Sequence, residues 1–400
     1  MRTLIKDIIE NLGKEVEING FVQVIRDQGS IKFLIIRDIS GIIQVVITKD
    51  KKDALETVSR LSHESVVKII GLAKEEKQAP GGFEIAAETI TILSLADPEL
   101  PIPVVEKGEQ EETDQSIRLD WRWIDLRKPK NTLIFKVWTV MEQAFREYWL
   151  KQDYIEIHSP KLIATPSESG SEVFEVKYFE RKAYLAQSPQ FYKQMAMAAG
   201  FEKVFEIGPV FRAEPSFTSR HATEFTGYDM EISYIESHYD VMAEEEHIIH
   251  YAMQKVKDAY GQEILKLFER DIPVPTMPFP RVSMEKAKEI LARMKVPSEK
   301  EGDLSPEEER KICEHFKETE GHEFVFITAY PISIRPFYHM RDGHDQKLTK
   351  SFDLLWNGLE VTTGAQREHR YDVLVSQAQE KGMRLEPIQF YLNFFKYGCP

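Results

Sequence analysis

The first hundred residues alternate hydrophobic and polar positions in short runs, which is the pattern of β-strands. Strands are predicted from this alternation, and from runs of β-branched and aromatic residues, at residues 15–26, 31–37, 42–48, 65–72 and 83–95. Residues 53–61 are predicted to form a helix, because Leu55, Val58 and Leu61 fall on one face. Three strands, a helix and two further strands follow the order of the OB-fold, a five-stranded barrel.

The pattern changes after residue 97. Residues 98–115 contain three prolines followed by an acidic stretch, which is typical of a linker. Helices are then predicted from their periodicity at residues 131–150, 190–199, 238–260 and 304–319. Strands are predicted at residues 154–157, 172–178, 183–186, 203–213, 224–234, 329–337 and 351–361.

Strands in hairpin order mixed with helices indicate an α+β domain, with an antiparallel sheet flanked by helices. We therefore predict three parts in the chain. These are a barrel over residues 1–97, a linker or hinge over 98–130, and an α+β domain over 131–400.

Composition narrows the function classes only a little. The 400 residues include 52 Lys and Arg against 66 Asp and Glu, a net charge of −14 that argues mildly against a nucleic-acid partner. Cys313 and Cys399 are too few for a disulfide framework or a four-thiolate zinc site, and indicate a reducing cytoplasm. Neither a run of about 18 apolar residues nor a signal peptide is visible, so no membrane association is expected.

Candidate chemistry is concentrated in one segment that holds Arg212, Glu214, Arg220, His221, Glu224, Asp229 and Glu231 between apolar residues. Asp229 and Glu231 are two residues apart and share one face of a predicted strand, as Arg212 and Glu214 do on its neighbour. Arginine suits phosphate oxygens, and carboxylates suit an amine or Mg²⁺. The segment therefore predicts a site for a nucleotide and a cationic amine; the alternative is a surface hairpin with salt bridges.

Two further clusters carry chemistry-bearing residues. In AQSPQFYKQ (186–194), Ser188, Gln190 and Lys193 project from the first turn of a predicted helix. A lysine there opposes the helix dipole, which favours a bound anion as its explanation. In GLEVTTGAQREHRYD (358–372), Glu360 lies at a strand end and Arg367 follows a glycine turn. His339 and His344 lack a third ligand at suitable spacing, and are predicted to be ordinary hydrogen-bonded histidines.

Taken together, these motifs resemble those of a class II aminoacyl-tRNA synthetase, in particular the aspartyl/asparaginyl branch of archaeal and eukaryotic type. The resemblance runs from GFVQVIRDQGSIKFLIIRD through RLDWRWIDLRKP to the end of the chain. The long helix with YIEIHSPKL resembles the family's first motif, whose proline, here Pro160, lies at the homodimer interface. FEIGPVFRAE resembles the second motif. The implied fold is an N-terminal OB-fold anticodon-binding barrel followed by a class II catalytic domain.

The resemblance implies roles for residues around ATP. Arg212 would hold the α-phosphate and the substrate carboxylate, and Glu214 would read the adenine amine. His221 would contact the γ-phosphate with Arg220 beside it, and Phe225 would stack under the adenine. The reaction would need no covalent enzyme nucleophile, because the substrate carboxylate itself attacks the α-phosphate.

Metal and amino-acid ligands are implied in the same way. Glu360 would bind Mg²⁺ together with Thr363, which stands where the family usually has serine. Glu168, in a Gly/Ser-rich loop, and Asp229 would hold the substrate ammonium group. The pocket for the substrate side chain would be built by Ser188, Gln190, Lys193 and Arg367.

The choice of amino acid can be argued from charge. Aspartate and asparagine are nearly isosteric, and both Lys193 and Arg367 only donate hydrogen bonds. Asparagine would leave that positive charge unneutralised in a desolvated site, at a cost of several kcal/mol. L-Aspartate is therefore the predicted substrate, and an asparaginyl-tRNA synthetase is the alternative.

The resemblance also implies how tRNA is read. Phe33 would stack on an anticodon base, Arg26 would contact phosphate or a base edge, and Gln44 would read a base edge. Gln23 and Pro80 stand where members that charge a single tRNA often have tryptophan and lysine. Their identity favours charging of both tRNA(Asp) and tRNA(Asn).

One motif of the family is missing from the 400 residues. FFKYGCP leads, in the family, into a glycine-rich third motif with an arginine on the γ-phosphate, and we expect the natural chain to continue into it. Its absence would favour a non-catalytic tRNA-binding paralogue. An ATP-dependent amide-forming relative is a further alternative, although such proteins tend to lack the barrel.

Overall fold

The structure is a computed structural model that describes residues 2–105, 113–165, 173–214 and 222–400. The chain divides into two compact units, Met1–Thr132 and Leu133–Pro400. Each unit has its own hydrophobic core.

The first unit contains the predicted five-stranded barrel. Its elements are β1 (Glu15–Asp27), β2 (Ile31–Arg37), β3 (Ile42–Thr48), α1 (Lys52–Ser59), β4 (Val66–Glu75) and β5 (Phe83–Ser94). The barrel closes in the order β1-β2-β3-β5-β4, with β3 and β5 parallel and the other pairs antiparallel. Alternate residues such as Val16 and Ile18 of β1 fill the interior, as the period of a strand requires. The OB-fold prediction is confirmed.

A buried ion cluster joins the barrel to the two short helices that follow it, α2 (Gln115–Asp120) and α3 (Arg122–Asp125). Arg37 on β2 donates to both carboxylate oxygens of Glu64, at 3.1 and 2.7 Å, and Arg127 after α3 donates at 3.2 Å. Both guanidinium groups also lie over the ring of Phe21, at 5.3 and 4.7 Å from its centroid. Glu64 thus balances two arginines from separate parts of the unit.

The second unit is α+β, as predicted. Its helices are α4 (Pro129–Lys151, which begins in the first unit), α5 (Gln190–Ala198), α6 (His238–Phe268), α7 (Met284–Arg293), α8 (Pro306–Glu320), α9 (Tyr371–Glu380) and α10 (Gln389–Lys396). Its strands are β6 (Ile155–Glu156), β7 (Leu162–Ile163), β8 (Glu175–Tyr178), β9 (Arg181–Leu185), β10 (Lys203–Phe211), β11 (Glu224–Ile232), β12 (Arg281–Ser283), β13 (Phe324–Thr328), β14 (Ser351–Trp356) and β15 (Leu359–Ala365).

The described strands of this unit form three small sheets, in the orders β11-β10-β6, β12-β13-β14-β15 and β7-β9-β8. Most pairs are antiparallel, and β10–β6 and β12–β13 are parallel. One core joins the first two sheets to α4 and α6, since Phe205, Phe326 and Phe352 pack with Trp149 and Met242. The opposite face of β10 and β11 does not take part in this core.

Two strand predictions were wrong. Residues 329–337 are not a strand, because Pro331 and Pro336 lack the amide hydrogen that a central strand needs, and Ile332–Ile334 forms a 3₁₀ turn. Residues 351–361 are not one strand but parts of the β14–β15 hairpin, which turns at Asn357 and Gly358, both with positive φ. Among the described elements, the patterns also left α2, α3, β7, β12, α7, β13, α9 and α10 unpredicted.

No helix in the described ranges is both long and apolar enough to cross a membrane.

The ion cluster at Glu64 yields a stability prediction. Glu64→Gln removes the charge that compensates the buried Arg37, and should lower the free energy of unfolding of the barrel by about 3–5 kcal/mol. Urea denaturation followed by circular dichroism measures the change. Glu88→Gln, which breaks only an exposed pair with Lys51, is the matched control and should leave the transition nearly unchanged. Equal transitions for the two variants would contradict the prediction.

Candidate active site

The pair β10–β11 presents a charged face on the side away from the core. Cross-strand partners on that face are Glu206 with Asp229 and Val204 with Glu231, whereas Phe205 and Met230 point into the core. The predicted sharing of one face by Asp229 and Glu231 is therefore borne out by the register. Glu231 is buried and Asp229 half-buried, and two carboxylates so close on one sheet face are costly unless each finds a cation.

The cation is supplied by α5. Lys193 is only 4% exposed, and its Nζ donates to Asp229 Oδ1 at 2.9 Å and to the Met230 carbonyl at 3.2 Å. Glu231 Oε2 lies 3.5 Å from the same nitrogen. Burial alone would lower the pKa of Lys193, but the attraction of Asp229 and Glu231 outweighs it and raises the pKa. The position of Lys193 at a helix start predicted a bound anion, and in the structure the carboxylates of Asp229 and Glu231 take that place.

Arg367, in the loop after β15, is the second cation of this face. Its Nη2 donates to Gln190 Oε1 at 3.0 Å, and its Nε lies 3.7 Å from Glu231 Oε1. Its Nη1 lies 2.7 Å from Nε2 of His339, which is buried. Lys193 and Arg367 are therefore balanced by the carboxylates of Asp229 and Glu231.

Gln190 connects this cluster to α5 through hydrogen bonds. It is buried, accepts from Arg367 through its amide oxygen, and donates through its amide nitrogen to Gln194 Oε1 at 3.0 Å. Ser188 accepts from the Gln190 backbone N–H at 3.4 Å, in the turn that begins α5. Both predicted pocket residues lie at this cluster, and Gln190 orients a cation through its own side chain.

A second charged group lies on the hairpin β14–β15. Asp353 pairs with Thr363, Leu355 pairs with Glu360, and an extra residue, Val361, is bulged between them. The bulge brings Glu360 and Thr363, which are three residues apart, to the same face as Asp353. Asp353 was not identified from the sequence; a lone carboxylate in the apolar run SFDLLW was the only available signal.

These residues fit a divalent cation. Burial and the negative charge of Asp353 raise the pKa of Glu360 to about 8, although the residue is reached by solvent from the cleft. Arg335 donates to Asp353 Oδ2 at 2.6 Å and to Thr363 Oγ1 at 3.3 Å, while Asp353 Oδ1 is buried without a partner in the described part of the chain. Across the described residues no group of three or more His, Cys, Asp or Glu gathers, so the protein offers a carboxylate pair and a hydroxyl. Mg²⁺ is commonly held by one or two carboxylates plus substrate phosphates.

One cleft connects the two charged groups. The predicted residues that line it are Lys193, Arg212, Glu214, Phe225, Asp229, Glu360, Thr363 and Arg367. β10 ends at Phe211, so Arg212 and Glu214 lie in the segment after it and do not share a strand face as predicted. The Arg212 guanidinium lies over Phe225, 5.4 Å from the ring centroid. Glu168, Arg220 and His221 lie outside the described residues.

The predicted anticodon residues share the outer face of the barrel. Arg26 and Phe33 are direct cross-strand partners, and Gln44 pairs with Ile35, one position along the same face. Gln44 donates to Glu84 Oε2 at 2.8 Å. Gln23 lies at a bulge of β1, and Pro80 is exposed in the turn before β5. Pro160 is also exposed, between β6 and β7 of the second unit.

Known proteins share both units of this chain. The family described as tRNA synthetases class II (D, K and N) matches residues 114–400, and an OB-fold nucleic acid binding domain matches residues 16–93. The aspartate–tRNA(Asp/Asn) ligase of Methanopyrus kandleri is 44% identical over 98% of this chain and 89% of its own length. The aspartate–tRNA(Asp) ligase of Pyrococcus furiosus is 42% identical over 98% of this chain and 90% of its own. The crystal structure of asparaginyl-tRNA synthetase from Pyrococcus horikoshii, complexed with asparaginyl-adenylate, has a TM-score of 0.88 and 32% identity, covering 100% of this chain and 91% of that one.

The carboxylate pair on β14–β15 yields a binding prediction. Glu360→Gln removes one of two carboxylates and should weaken binding of Mn²⁺, as a probe for Mg²⁺, by about tenfold or more in electron paramagnetic resonance titrations. Glu245→Gln is the matched control. Burial raises the pKa of Glu245, which approaches Thr362 on the other face of β15, to about 7. Equal Mn²⁺ affinities for the two variants would exclude Glu360 as a ligand.

Proposed function

Because this chain belongs to the class II aminoacyl-tRNA synthetases (D, K and N), we propose that it is an aspartate–tRNA ligase. It would activate L-aspartate with ATP and transfer the aspartyl group to tRNA. The family supports the chemistry, and the printed names of the curated relatives support aspartate. The observation that carries the proposal is the balanced cluster of two cations and two carboxylates beside the cleft.

The charge balance of this cluster favours aspartate through an exchange of partners. The α-ammonium group of the substrate takes over Asp229, which releases Lys193 for the β-carboxylate. Arg367, still beside Glu231, supplies the second donor to that carboxylate. Every charge then has an opposite partner. Asparagine would also occupy Asp229 but bring no β-carboxylate, leaving one buried positive charge uncompensated at a cost of several kcal/mol.

The cleft residues suggest how the first step is promoted. An oxygen of the substrate α-carboxylate attacks the α-phosphorus of ATP in line, and pyrophosphate leaves as aspartyl-adenylate forms. Arg212 stabilises the charge on the α-phosphate, while Phe225 stacks on the adenine and Glu214 accepts a hydrogen bond from its amine. Catalysis rests on positioning and charge neutralisation rather than on an enzyme nucleophile. A hydroxyl of the terminal ribose of tRNA then attacks the activated carbonyl, and AMP leaves.

Mg²⁺ belongs to the proposal as well. Asp353, Glu360 and Thr363 would hold it, and it would neutralise charge on the ATP phosphates. Arg220 and His221 would contact the γ-phosphate, and Glu168 would close over the substrate ammonium group. These last three roles rest on the resemblance alone.

The outer face of the barrel is proposed to read the anticodon. Arg26 and Phe33 offer a cation beside an aromatic ring, which is the combination that binds and stacks single-stranded bases. Gln44 offers an amide for a base edge. Residues 98–130 would connect this barrel to the catalytic domain.

Two copies of the chain are proposed to associate. Phe135 and Trp138 on α4 are 41% and 56% exposed, and their rings form an edge-on pair at 5.0 Å. Ile155 and Leu162, which flank the exposed Pro160 along the chain, are also exposed. Exposed aromatic and aliphatic side chains of this kind are typical of a homodimer interface. Free Cys313 and Cys399 are compatible with the cytoplasm as the site of action.

The substrate assignment is tested at Lys193. Lys193→Leu should abolish aspartate-dependent ATP–pyrophosphate exchange, because it removes a donor to the β-carboxylate and leaves Asp229 unpaired. Lys182→Leu, an exposed lysine on β9, is the control and should retain the full rate.

Three outcomes count against the assignment. An unchanged rate in Lys193→Leu would remove the proposed specificity determinant. Exchange with asparagine but not with aspartate would identify the asparaginyl alternative. Binding of tRNA without exchange for either amino acid would identify a non-catalytic paralogue.

The tRNA partners are tested by charging tRNA(Asp) and tRNA(Asn) side by side. We expect the wild-type protein to aspartylate both, as the name of the Methanopyrus kandleri relative states for that enzyme. The double variant Gln23→Trp/Pro80→Lys should lose tRNA(Asn) charging selectively. ATP–pyrophosphate exchange, which needs no tRNA, is the internal control and should not change. Failure of the wild-type protein to charge tRNA(Asn) would restrict the enzyme to tRNA(Asp).

A further inference from the structure

His339 is held rigidly beside Arg367. The two residues face each other in an isolated antiparallel bridge, which places their side chains on the same side of the backbone. The His339 backbone N–H donates to the Pro336 carbonyl at 3.2 Å, and Gln377 Nε2 donates to the His339 carbonyl at 3.2 Å. The side chain is buried, with 3% of the residue exposed. The imidazole therefore has little freedom to move.

The contact between the two side chains fixes the protonation state of the ring. Arg367 Nη1 lies 2.7 Å from His339 Nε2, and an arginine can only donate. Nε2 must therefore accept, which requires a neutral ring with its proton on Nδ1. Burial, followed by the positive charges of Arg367, Arg335 and Lys381, lowers the pKa of His339 well below its ordinary value, so the ring stays neutral at physiological pH.

His339 completes a frame around the guanidinium group. Gln190 Oε1 accepts from Nη2, Glu231 lies near Nε, and the ring of Tyr338 covers one face at 5.3 Å. Two of the five N–H donors of Arg367 are engaged by His339 and Gln190, and the plane of the group is set by them. Nε is buried near Glu231, and the other hydrogens of Nη1 and Nη2 are the donors left for the cleft that Arg367 lines.

From this frame we infer that His339 is a positioning residue, which holds Arg367 in the orientation that binds the β-carboxylate of aspartate. The inference rests on the proposed function and deepens it. A neutral acceptor suits the task better than a carboxylate would. Glutamate at this position would orient Arg367 equally well but cancel its charge, and that charge is what distinguishes aspartate from asparagine.

Kinetics of ATP–pyrophosphate exchange test the inference. His339→Leu replaces the acceptor with an apolar side chain, and should raise the KM for aspartate by about tenfold or more with the KM for ATP unchanged. His339→Gln carries an amide oxygen that can replace Nε2, and should restore the KM to within about threefold of wild type. His339→Glu should reduce the preference for aspartate over asparagine by about tenfold or more.

His322 offers a matched control. It is also buried in the second unit, but its ring contacts the carbonyls of Phe324 and Thr276, at 2.8 and 2.9 Å. His322→Leu should lower thermal stability without changing the ratio of the two KM values. A His339→Leu variant that behaves like His322→Leu, or a His339→Gln variant that restores nothing, would overturn the inference.

A structural readout separates this inference from the proposed function. In a crystal structure of substrate-free His339→Leu, the Arg367 guanidinium should leave the place it has in the wild-type crystal. An unmoved guanidinium would overturn the positioning role whatever the enzyme activates. A wild-type protein without aspartate-dependent exchange would instead overturn the proposed function, and with it the assignment of the β-carboxylate as the group that Arg367 binds.

Discussion

Four charges at one end of a small sheet, two of them buried and two half-buried, are neutralised within the protein itself. Lys193 and Arg367 are matched by Asp229 and Glu231, and the whole group is reached from a single cleft. A buried cation without a partner would cost several kcal/mol, so the carboxylates are a condition of folding as well as of binding. In the proposed function, aspartate adds one ammonium group and one β-carboxylate to this cluster, so the charges stay balanced, whereas asparagine adds the ammonium group alone. The preference for aspartate would then follow from charge balance rather than from a close steric fit.

The hairpin β14–β15 also brings two carboxylates together, and an arginine compensates part of their charge. Asp353 and Glu360 lie on one face, and Arg335 donates to the first of them. The guanidinium, which stacks on Tyr330 at 3.7 Å, compensates part of the negative charge that the two carboxylates bring together. Both clusters contain internal counter-ions, and in the proposed function these change partners when substrate or metal binds. The two clusters therefore preorganise compensating charges as well as the positions of side chains.

Periodicity predicted the barrel and the charged face of β11, because an alternation of two survives in a strand with one face buried. The family resemblance then assigned Lys193 and Arg367 to one pocket, although no periodicity in the sequence connects them. Asp353 and Arg335 escaped prediction, and His339 was predicted only as an ordinary hydrogen-bonded histidine, because the partner of each is known only after register and loops are set. The false strand at 329–337 shows the limit of hydrophobicity as a guide, since two prolines outweighed four β-branched or aromatic residues there.

The ion cluster at Glu64 indicates how far along the chain the anticodon barrel extends. Composition places a boundary near residue 97, yet Arg127 contributes both an ion pair and a ring contact to the base of the barrel. A fragment that stops at residue 97 would expose one side of Phe21 and leave Glu64 with a single arginine. The smallest piece able to fold as the barrel does in the whole chain therefore extends through Arg127. A fragment designed as an isolated RNA-binding barrel should therefore end after Arg127 rather than after β5.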